Sequence, residues 1–342
     1  MEEKTGIIIV NTGSPTAPTA EAVRSYLARF LMDPRLVAVP RPIWRCILHY
    51  FILPRRSGVS ANKYKLIWED EGTPQGSPLA RAHTQMAAGL AKRLEGTGVE
   101  VRAAMCYAPP SVESMLRELR DAGCTRIVYL PVYPQAAYTQ VGSCIDLFGQ
   151  ACRKLGWNPP VELIADFWND TEYLKAIAQS ILDAGFDAER DYLDLSYHAI
   201  PLRDIEHGDT YQDVAYQTNR ELSHLLNLKP GRWTTGFQSV FGLRPQDWTS
   251  PLSTGILADW GREGVQNVYF CCPGFSADCL ETLYDVPYDM EPAYKLAYRE
   301  AHPEGPEPSF TYVPCLDAEE TYPRILYHVL SERSEFLRDE LS

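Results

Sequence analysis

Two hydrophobic patterns alternate along the chain. Short runs rich in Ile, Val, Leu and aromatic residues are typical of buried strands, and the segments between them repeat apolar residues about every 3.6 positions, as amphipathic helices do. Strands are predicted at residues 6–10, 99–105, 126–132, 161–165, 192–196, 233–237 and 265–270. Helices are predicted at residues 20–32, 79–94, 112–122, 172–184, 213–226 and 255–264.

This order of elements predicts an α/β protein with two Rossmann-like domains, each a parallel sheet flanked by helices. The pattern is interrupted at residues 152–160, where Gly156 and the pair Pro159-Pro160 indicate a joint. We therefore expect an N-terminal domain at residues 1–158 and a C-terminal domain at residues 159–342. Neither a phosphate-binding G-x-x-x-x-G-K motif nor a dinucleotide G-x-G-x-x-G motif occurs.

Ligands of open parallel sheets bind beyond the carboxyl ends of the strands. Two chemically useful residues are expected there, namely His198 just after one strand and Glu281 shortly after another. An imidazole fixed at a strand end suits a metal ligand or a proton acceptor, and imidazole with carboxylate binds Fe(II) well. The alternative for His198 is a histidine that only hydrogen-bonds a neighbouring backbone group.

Acidic residues cluster around Glu281. If the segment after Ala277 is helical, Asp278, Glu281 and Asp285 share one face, where like charges repel unless a cation or a delivered proton compensates. The alternative is a solvated helix start in which Asp278 caps free N–H groups. Pro287 is expected to end this helix.

Charge and cysteine content narrow the choice of partners. A net charge of -13 argues against nucleic acid, because binding the phosphate backbone requires clustered Lys and Arg. Nine cysteines without a C-x-x-C pair indicate a reducing, cytoplasmic setting and disfavour an iron–sulfur cluster. The acidic start of the sequence lacks the features of a signal peptide, so we expect no export.

Residues 43–53 form the most hydrophobic long segment, but they are fewer than the roughly 20 residues of a membrane-spanning helix. The segment is rich in apolar and aromatic residues and has arginines at both ends. Two interpretations remain open. The segment either makes a peripheral membrane contact or lines an apolar cleft, or it is an internal helix with exposed arginines.

The sequence resembles the ferrochelatase family over about residues 5–335. Residues 195–201 are similar to the family's S-x-H-x-x-P segment, and residues 275–284 are similar to its S-D-H-x-E-T-L-Y segment. Further similarity lies at residues 11–15, 76–79, 130–135, 208–211, 237–239 and 245–248.

The resemblance implies an enzyme that inserts Fe(II) into a porphyrin, with both as substrates and no permanently bound cofactor. Protoporphyrin IX is the expected porphyrin, and the Asn11-Thr12 pair favours it. By their match to the motifs, His198 and Glu281 would bind the metal and remove pyrrole protons, and Asp278 would support them. Tyr133 would lie near the porphyrin, together with Tyr138.

Some positions depart from the family pattern. Val240 stands where relatives commonly carry Arg or Lys, Cys279 where some carry His, and the loop at residues 70–75 is longer. Three alternatives therefore stay open: a chelatase for coproporphyrin III or another tetrapyrrole, a non-catalytic tetrapyrrole carrier, and a two-lobed metal-binding protein of periplasmic type. The last is disfavoured by the sparse ligand set and the expected absence of export.

Overall fold

Two parallel sheets with the same strand order form the framework of the protein. The computed structural model describes residues 3–69, 76–240, 242, 244–338 and 340–341. The first sheet contains β1 (Thr5–Asn11), β2 (Glu100–Met105), β3 (Arg126–Pro131) and β4 (Val161–Leu163), in the order β2-β1-β3-β4. The second contains β5 (Tyr192–His198), β6 (Trp233–Gln238), β7 (Asn267–Cys271) and β8 (Ser309–Val313), in the order β6-β5-β7-β8. The predicted α/β class with two Rossmann-like sheets is confirmed.

Helices occupy most connections between the strands. The first group is α1 (Ala20–Phe30), α2 (Arg41–Ile47), α3 (Leu53–Ile67), α4 (Pro78–Arg93), α5 (Val112–Asp121) and α6 (Val141–Leu155). The second group is α7 (Thr171–Asp183), α8 (Leu202–Glu206), α9 (Tyr211–Leu225), α10 (Ser253–Arg262), α11 (Leu280–Leu283), α12 (Glu291–Ala301) and α13 (Thr321–Arg333). Two π-helical turns, Leu48–Ile52 and Val286–Met290, and a 3₁₀ turn, Pro245–Asp247, complete the described helical segments.

The chain divides into two compact units at positions that differ from the predicted joint. The first unit runs through Phe167 and also includes the chain from Asp317 onwards, whereas the second is Trp168–Leu316. Strand β4 follows the Pro159-Pro160 pair and aligns with β3, so these prolines lead into the first sheet rather than out of the domain. Helix α13 packs on α4, which assigns the end of the chain to the first unit.

Local sequence explains why the elements form where they do. Strand β1 is a continuous apolar run whose residues Ile7 to Val10 are completely buried, as expected for a parallel strand covered on both faces. In α5, Val112, Met115, Leu116 and Leu119 are buried at helical spacing. Its N-terminus is capped by the Ser111 hydroxyl, which accepts a hydrogen bond from the Ser114 N–H.

Two parts of the second unit were not expected. Strand β8 lies at the edge of its sheet in a segment with no predicted strand. Pro287 does not end a helix. It lies in the first turn of the π-helical segment that continues into α12, a position where a missing N–H costs little.

Residues 43–53 are helical and present two faces. Trp44, Leu48 and Leu53 are buried, while Ile43, Tyr50 and Phe51 are largely exposed. In the part of the chain that the structure describes, no helix combines the length and the apolar character needed to cross a bilayer.

Candidate functional site

His198 is the last residue of β5 and is half-buried. Its Nδ1 lies 2.6 Å from the carbonyl oxygen of Ala199. Because a carbonyl can only accept, Nδ1 carries the hydrogen in this arrangement, which leaves the lone pair of the neutral imidazole on Nε2. The ring centroid is 6.5 Å from that of Phe275. The local geometry therefore fixes the ring with its second nitrogen as the basic atom.

Glu281 lies in α11, which is shorter than the predicted helix. The helix covers only Leu280–Leu283, with Cys279 as its extended N-cap residue. Asp278 therefore precedes the helix, and Asp285 begins the next helical segment. The condition under which the three acids would share one helical face is thus not met. The backbone of Cys279 is extended, with φ of -149° and ψ of -167°, and its N–H bonds the Thr282 side chain at 2.9 Å as in a capping box, so the helix begins only after it.

Asp278 is held by two hydroxyl donors. Its Oδ1 accepts hydrogen bonds from Tyr312 at 2.6 Å and from Thr282 at 2.8 Å. Tyr312 belongs to β8, and Thr282 follows Glu281 directly. Asp278 thus links the edge strand of the second sheet to the helix that carries Glu281. Hydrogen bonds to an ionised carboxylate are stronger than those between neutral groups.

Gln238 connects the two strands to the Glu281 segment. It ends β6, lies opposite His198 in the parallel register, and its carbonyl accepts a 2.8 Å bond from the Ala199 N–H. Its side-chain nitrogen donates to the Glu281 carbonyl at 2.8 Å. The main chains of His198 and Glu281 are thereby joined through a single residue.

Two thiols lie close to these acids, namely buried Cys279 and partly buried Cys315. Burial raises the pKa of the Cys279 thiol, and the neighbouring Glu281 carboxylate raises it further. Burial likewise raises the pKa of Cys315, with Asp278 contributing. These thiols therefore stay protonated at neutral pH. Within the described ranges, no three His, Cys, Asp or Glu side chains lie close enough together to hold a metal ion.

A buried carboxyl lies in the middle of the same sheet. Asp194 on β5 is fully buried, and burial raises its pKa from 3.8 to about 7, although the Ser253 hydroxyl and the Gly236 N–H act in the opposite direction. The Ser253 hydroxyl is 2.8 Å from that of Ser196, which donates to the side-chain oxygen of Gln238 at 2.7 Å. A buried chain of hydrogen bonds thus runs from Ser253 through Ser196 to Gln238, and the Asp194 carboxyl oxygens beside it have no hydrogen-bond partner that satisfies the usual geometry.

The two predicted porphyrin-contacting tyrosines belong to the first unit. Tyr133 is buried, and its hydroxyl is 2.5 Å from that of Thr12. Tyr138 is half exposed, with the Arg35 guanidinium 4.3 Å from its ring centroid. The structure thus groups His198, Asp278 and Glu281 within the second unit and Tyr133 with Tyr138 in the first. The longer loop at residues 70–75 lies outside the described residues.

Comparison with known proteins identifies the family. Residues 4–334 match the sequence model of the ferrochelatase family. A relative named ferrochelatase from Nitrosococcus oceani is 36% identical over 328 residues, which cover 96% of this chain and 86% of the relative. The chain belongs to the ferrochelatase family. It is therefore a metal chelatase of the lyase class, and the resemblance seen in the sequence is confirmed.

A second relative agrees with this membership, and a solved structure shares the fold. The ferrochelatase of Aeromonas hydrophila is 34% identical over 333 residues, covering 96% of this chain and 98% of the relative. The structure titled SirB from Bacillus subtilis with Fe3+ has a TM-score of 0.56 and 10% identity, covering 97% of this chain and 98% of that one. At such low identity the second likeness shows the shared fold alone.

Sequence reasoning missed two residues that contact the site segments. Tyr312 was missed because β8 was not predicted, although the run Ser309–Val313 is aromatic and β-branched, which is a strand signal. Gln238 stands out in the sequence only as part of the motif at residues 237–239. Its contact with Glu281 bridges residues far apart in the chain, and no local pattern indicates it.

Proposed function

We propose that this chelatase inserts Fe(II) into protoporphyrin IX and thereby forms protohaem with release of two protons. His198 and Glu281 take part in metal binding and proton removal, and Asp278 supports them. The observation that carries the proposal is the connection between the strand end of His198 and the main chain of Glu281 through Gln238. It ties the main-chain segments that carry one imidazole and one carboxylate to the same sheet.

The proposed roles follow from the chemistry of the substrate. A free porphyrin carries two pyrrole N–H groups, and both protons must leave as four metal–nitrogen bonds form. A base positioned near those protons typically accelerates such a transfer by about 10² to 10⁴-fold. The hydrogen bond from His198 Nδ1 to Ala199 leaves Nε2 available as that base or as a metal ligand. Glu281 supplies an oxygen ligand or a second proton acceptor.

The supporting contacts fit these roles. Asp278 is fixed by Tyr312 and Thr282, so its charge lies next to the helix of Glu281 and stabilises positive charge there. Tyr133 and Tyr138 contact the porphyrin in our proposal. The exposed ring of Tyr138 is suited to stacking on a flat apolar ligand, whereas buried Tyr133 acts through its hydroxyl and Thr12.

An anaerobic assay of metal insertion tests the proposal. The purified protein is mixed with Fe(II) or Zn(II) and protoporphyrin IX, and the metalloporphyrin is followed by its absorption. We expect turnover by the parent and a loss of kcat of about 10² to 10⁴-fold in His198→Ala and Glu281→Gln. Insertion by both variants at the parental rate would contradict the assigned roles.

The same assay decides between the remaining alternatives. A higher kcat/KM with coproporphyrin III than with protoporphyrin IX would replace the proposed substrate. A shift of the porphyrin spectrum on binding, without metal uptake, would instead indicate a carrier. The Asn11-Thr12 pair, which favours protoporphyrin, has a defined structure. Asn11 is buried, and the Thr12 hydroxyl is hydrogen-bonded to that of Tyr133.

We further propose a cytoplasmic enzyme without a resident cofactor or iron–sulfur cluster. No nucleic acid partner is proposed, in keeping with the net charge of -13. Peripheral contact with a membrane surface would involve residues 43–53, whose side chains Ile43, Tyr50 and Phe51 are exposed beside several arginines. Analysis of iron and acid-labile sulfide in the purified protein tests for a resident cofactor or cluster. Sedimentation with vesicles tests the membrane contact.

A further inference from the structure

We propose that Gln238 is a positioning residue for metal insertion, because its side-chain amide fixes the main chain of Glu281 relative to the strand end that carries His198. This inference rests on the proposed function of those two residues. Gln238 itself is not assigned a contact with either substrate.

The main chain of Gln238 is fixed to the strand of His198. Its carbonyl accepts the 2.8 Å bond from the Ala199 N–H, which continues the ladder between β5 and β6 beyond His198. The next residue, Ser239, has a left-handed backbone with φ of 62°, and the chain turns there. The strand therefore ends with its last side chain held next to the end of β5.

The side chain of Gln238 is 2% exposed and uses both ends of its amide. The oxygen accepts hydrogen bonds from Ser196 at 2.7 Å and from the Cys272 thiol at 3.4 Å. The nitrogen donates to the Glu281 carbonyl at 2.8 Å. Two donors at one end and an acceptor at the other determine the orientation of the amide. The amide nitrogen of Gln238 is thus directed towards the Glu281 carbonyl by the bonds that its oxygen accepts.

Glu281 benefits from such a link because it lies in the first turn of its helical segment, which begins at Leu280 after the extended residue Cys279. The N–H groups of a first turn have no intrahelical partners, so the position of its residues depends more on contacts with the rest of the fold. The hydroxyl of Thr282 secures the start of the helix to Asp278, and Gln238 secures it to the sheet. A displacement of a reacting group by about 1 Å can lower a rate by about 10²-fold.

Loss of a buried amide also destabilises a protein, so the test needs a matched control. Asn219 is a buried amide in the same unit, and it bonds Thr235 at 2.8 Å and Tyr197 at 2.6 Å. It makes no described contact with Glu281. Asn219→Leu should therefore lower stability about as much as Gln238→Met does, but it should leave the kinetics of metal insertion unchanged.

The experiment compares both variants with the parent protein. For Gln238→Met we expect kcat to fall by about 10 to 100-fold, while the Kd for protoporphyrin, measured by fluorescence without metal, changes less than about twofold. For Asn219→Leu we expect a similar fall of Tm with kcat retained. Ser196→Ala, which removes a donor to the Gln238 oxygen, should give a smaller fall of kcat, and it provides the test if Gln238→Met does not fold.

The outcomes separate this inference from the proposed function. If the parent is active and Gln238→Met keeps the parental kcat, the positioning role alone is overturned. If Gln238→Met does not fold, a parental kcat in Ser196→Ala overturns it instead. An equal fall of kcat in Asn219→Leu would also overturn it, because general destabilisation would then explain the loss. A parent that inserts no metal into either porphyrin would overturn both proposals.

Discussion

The carboxylate of Asp278 accepts a 2.6 Å hydrogen bond from the hydroxyl of Tyr312, which joins the loop after β7 to the edge strand β8. The same carboxylate oxygen is bound by Thr282, the residue that follows Glu281. The edge strand thus contributes to the position of the acidic segment, even though it carries no residue of the proposed reaction itself.

Removal of the Tyr312 hydroxyl should therefore impair catalysis. Tyr312→Phe leaves the ring in place and deletes one bond to a carboxylate, a contact that contributes about 1.5 to 3 kcal/mol. We expect kcat for metal insertion to fall several-fold and the free energy of unfolding in urea to fall by about 2 kcal/mol. The matched control is Tyr294→Phe, which deletes a 2.6 Å bond to the Val265 carbonyl in the same unit. That variant should lose stability and keep kcat, and equal kinetics in the two variants would contradict the role of Tyr312.

The buried carboxyl of Asp194 should make stability depend on pH. Its folded-state pKa of about 7 lies above the usual 3.8, so the folded state holds a proton that the unfolded state has lost. The stabilisation is present below about pH 4 and is lost as the pH rises towards and through about 7. The difference of about three pKa units corresponds to an effect on the order of 4 kcal/mol.

Urea unfolding measured from pH 4 to pH 8 checks this prediction. Asp194→Asn should remove most of the decline, because the amide does not titrate. Asp259→Asn, at an exposed position that pairs with Arg262, should keep the parental pH profile. A parental slope in the Asp194 variant would show that another group causes the decline.

Gly236 on β6 should not tolerate a side chain. A Cβ at this position would lie 2.1 Å from the Ser253 hydroxyl oxygen and 2.6 Å from an Asp194 carboxyl oxygen, both of which are buried. Overpacking of this kind costs about 1 to 3 kcal/mol, so Gly236→Ala should lower the midpoint of urea unfolding. Gly255→Ala in α10 meets no atom within 4 Å and should be neutral or slightly stabilising. Equal stability of the two variants would be inconsistent with the close packing at Gly236.

The contact between α4 and the end of the chain should depend on Gly89. A Cβ there would lie 2.5 Å from Pro323 and 2.7 Å from the backbone oxygen of Glu319. Gly89→Ala should therefore displace α13, destabilise the first unit by about 1 to 3 kcal/mol and expose the C-terminal segment to limited proteolysis. Gly58→Ala in α3 has open space around the new methyl group and should show the parental digestion pattern. Unchanged proteolysis of Gly89→Ala would refute the prediction.

Much of the fold could be predicted because local pattern and tertiary structure agree. Apolar runs such as Ile7 to Val10 are completely buried in a parallel sheet, and Val112 and Leu116 face the core at helical spacing. The division into units could not be predicted from the Pro159-Pro160 pair. Strand β4 belongs to the first unit because it pairs with β3. This pairing involves residues distant in the sequence, so no local pattern around the two prolines indicates it.

The sequence also predicts part of the candidate site, namely the part that depends on local pattern. His198 lies at the end of β5 as expected, because a buried run followed by Pro201 marks a strand end. The acids do not form one row, because the helix begins at Leu280 and leaves Asp278 outside it, before the extended residue Cys279. The contact of Gln238 with the Glu281 carbonyl joins residues far apart in the chain, so no local pattern could indicate it.

The first unit consists of two stretches, one through Phe167 and one from Asp317 onwards, whereas the second unit is one uninterrupted stretch. During synthesis on the ribosome, all residues of the second unit are available once Leu316 has left the exit tunnel, but the surface of α4 around Gly89 stays uncovered until α13 is translated. Translation that terminates before α13 would therefore yield a chain with a complete second unit and an incomplete first unit.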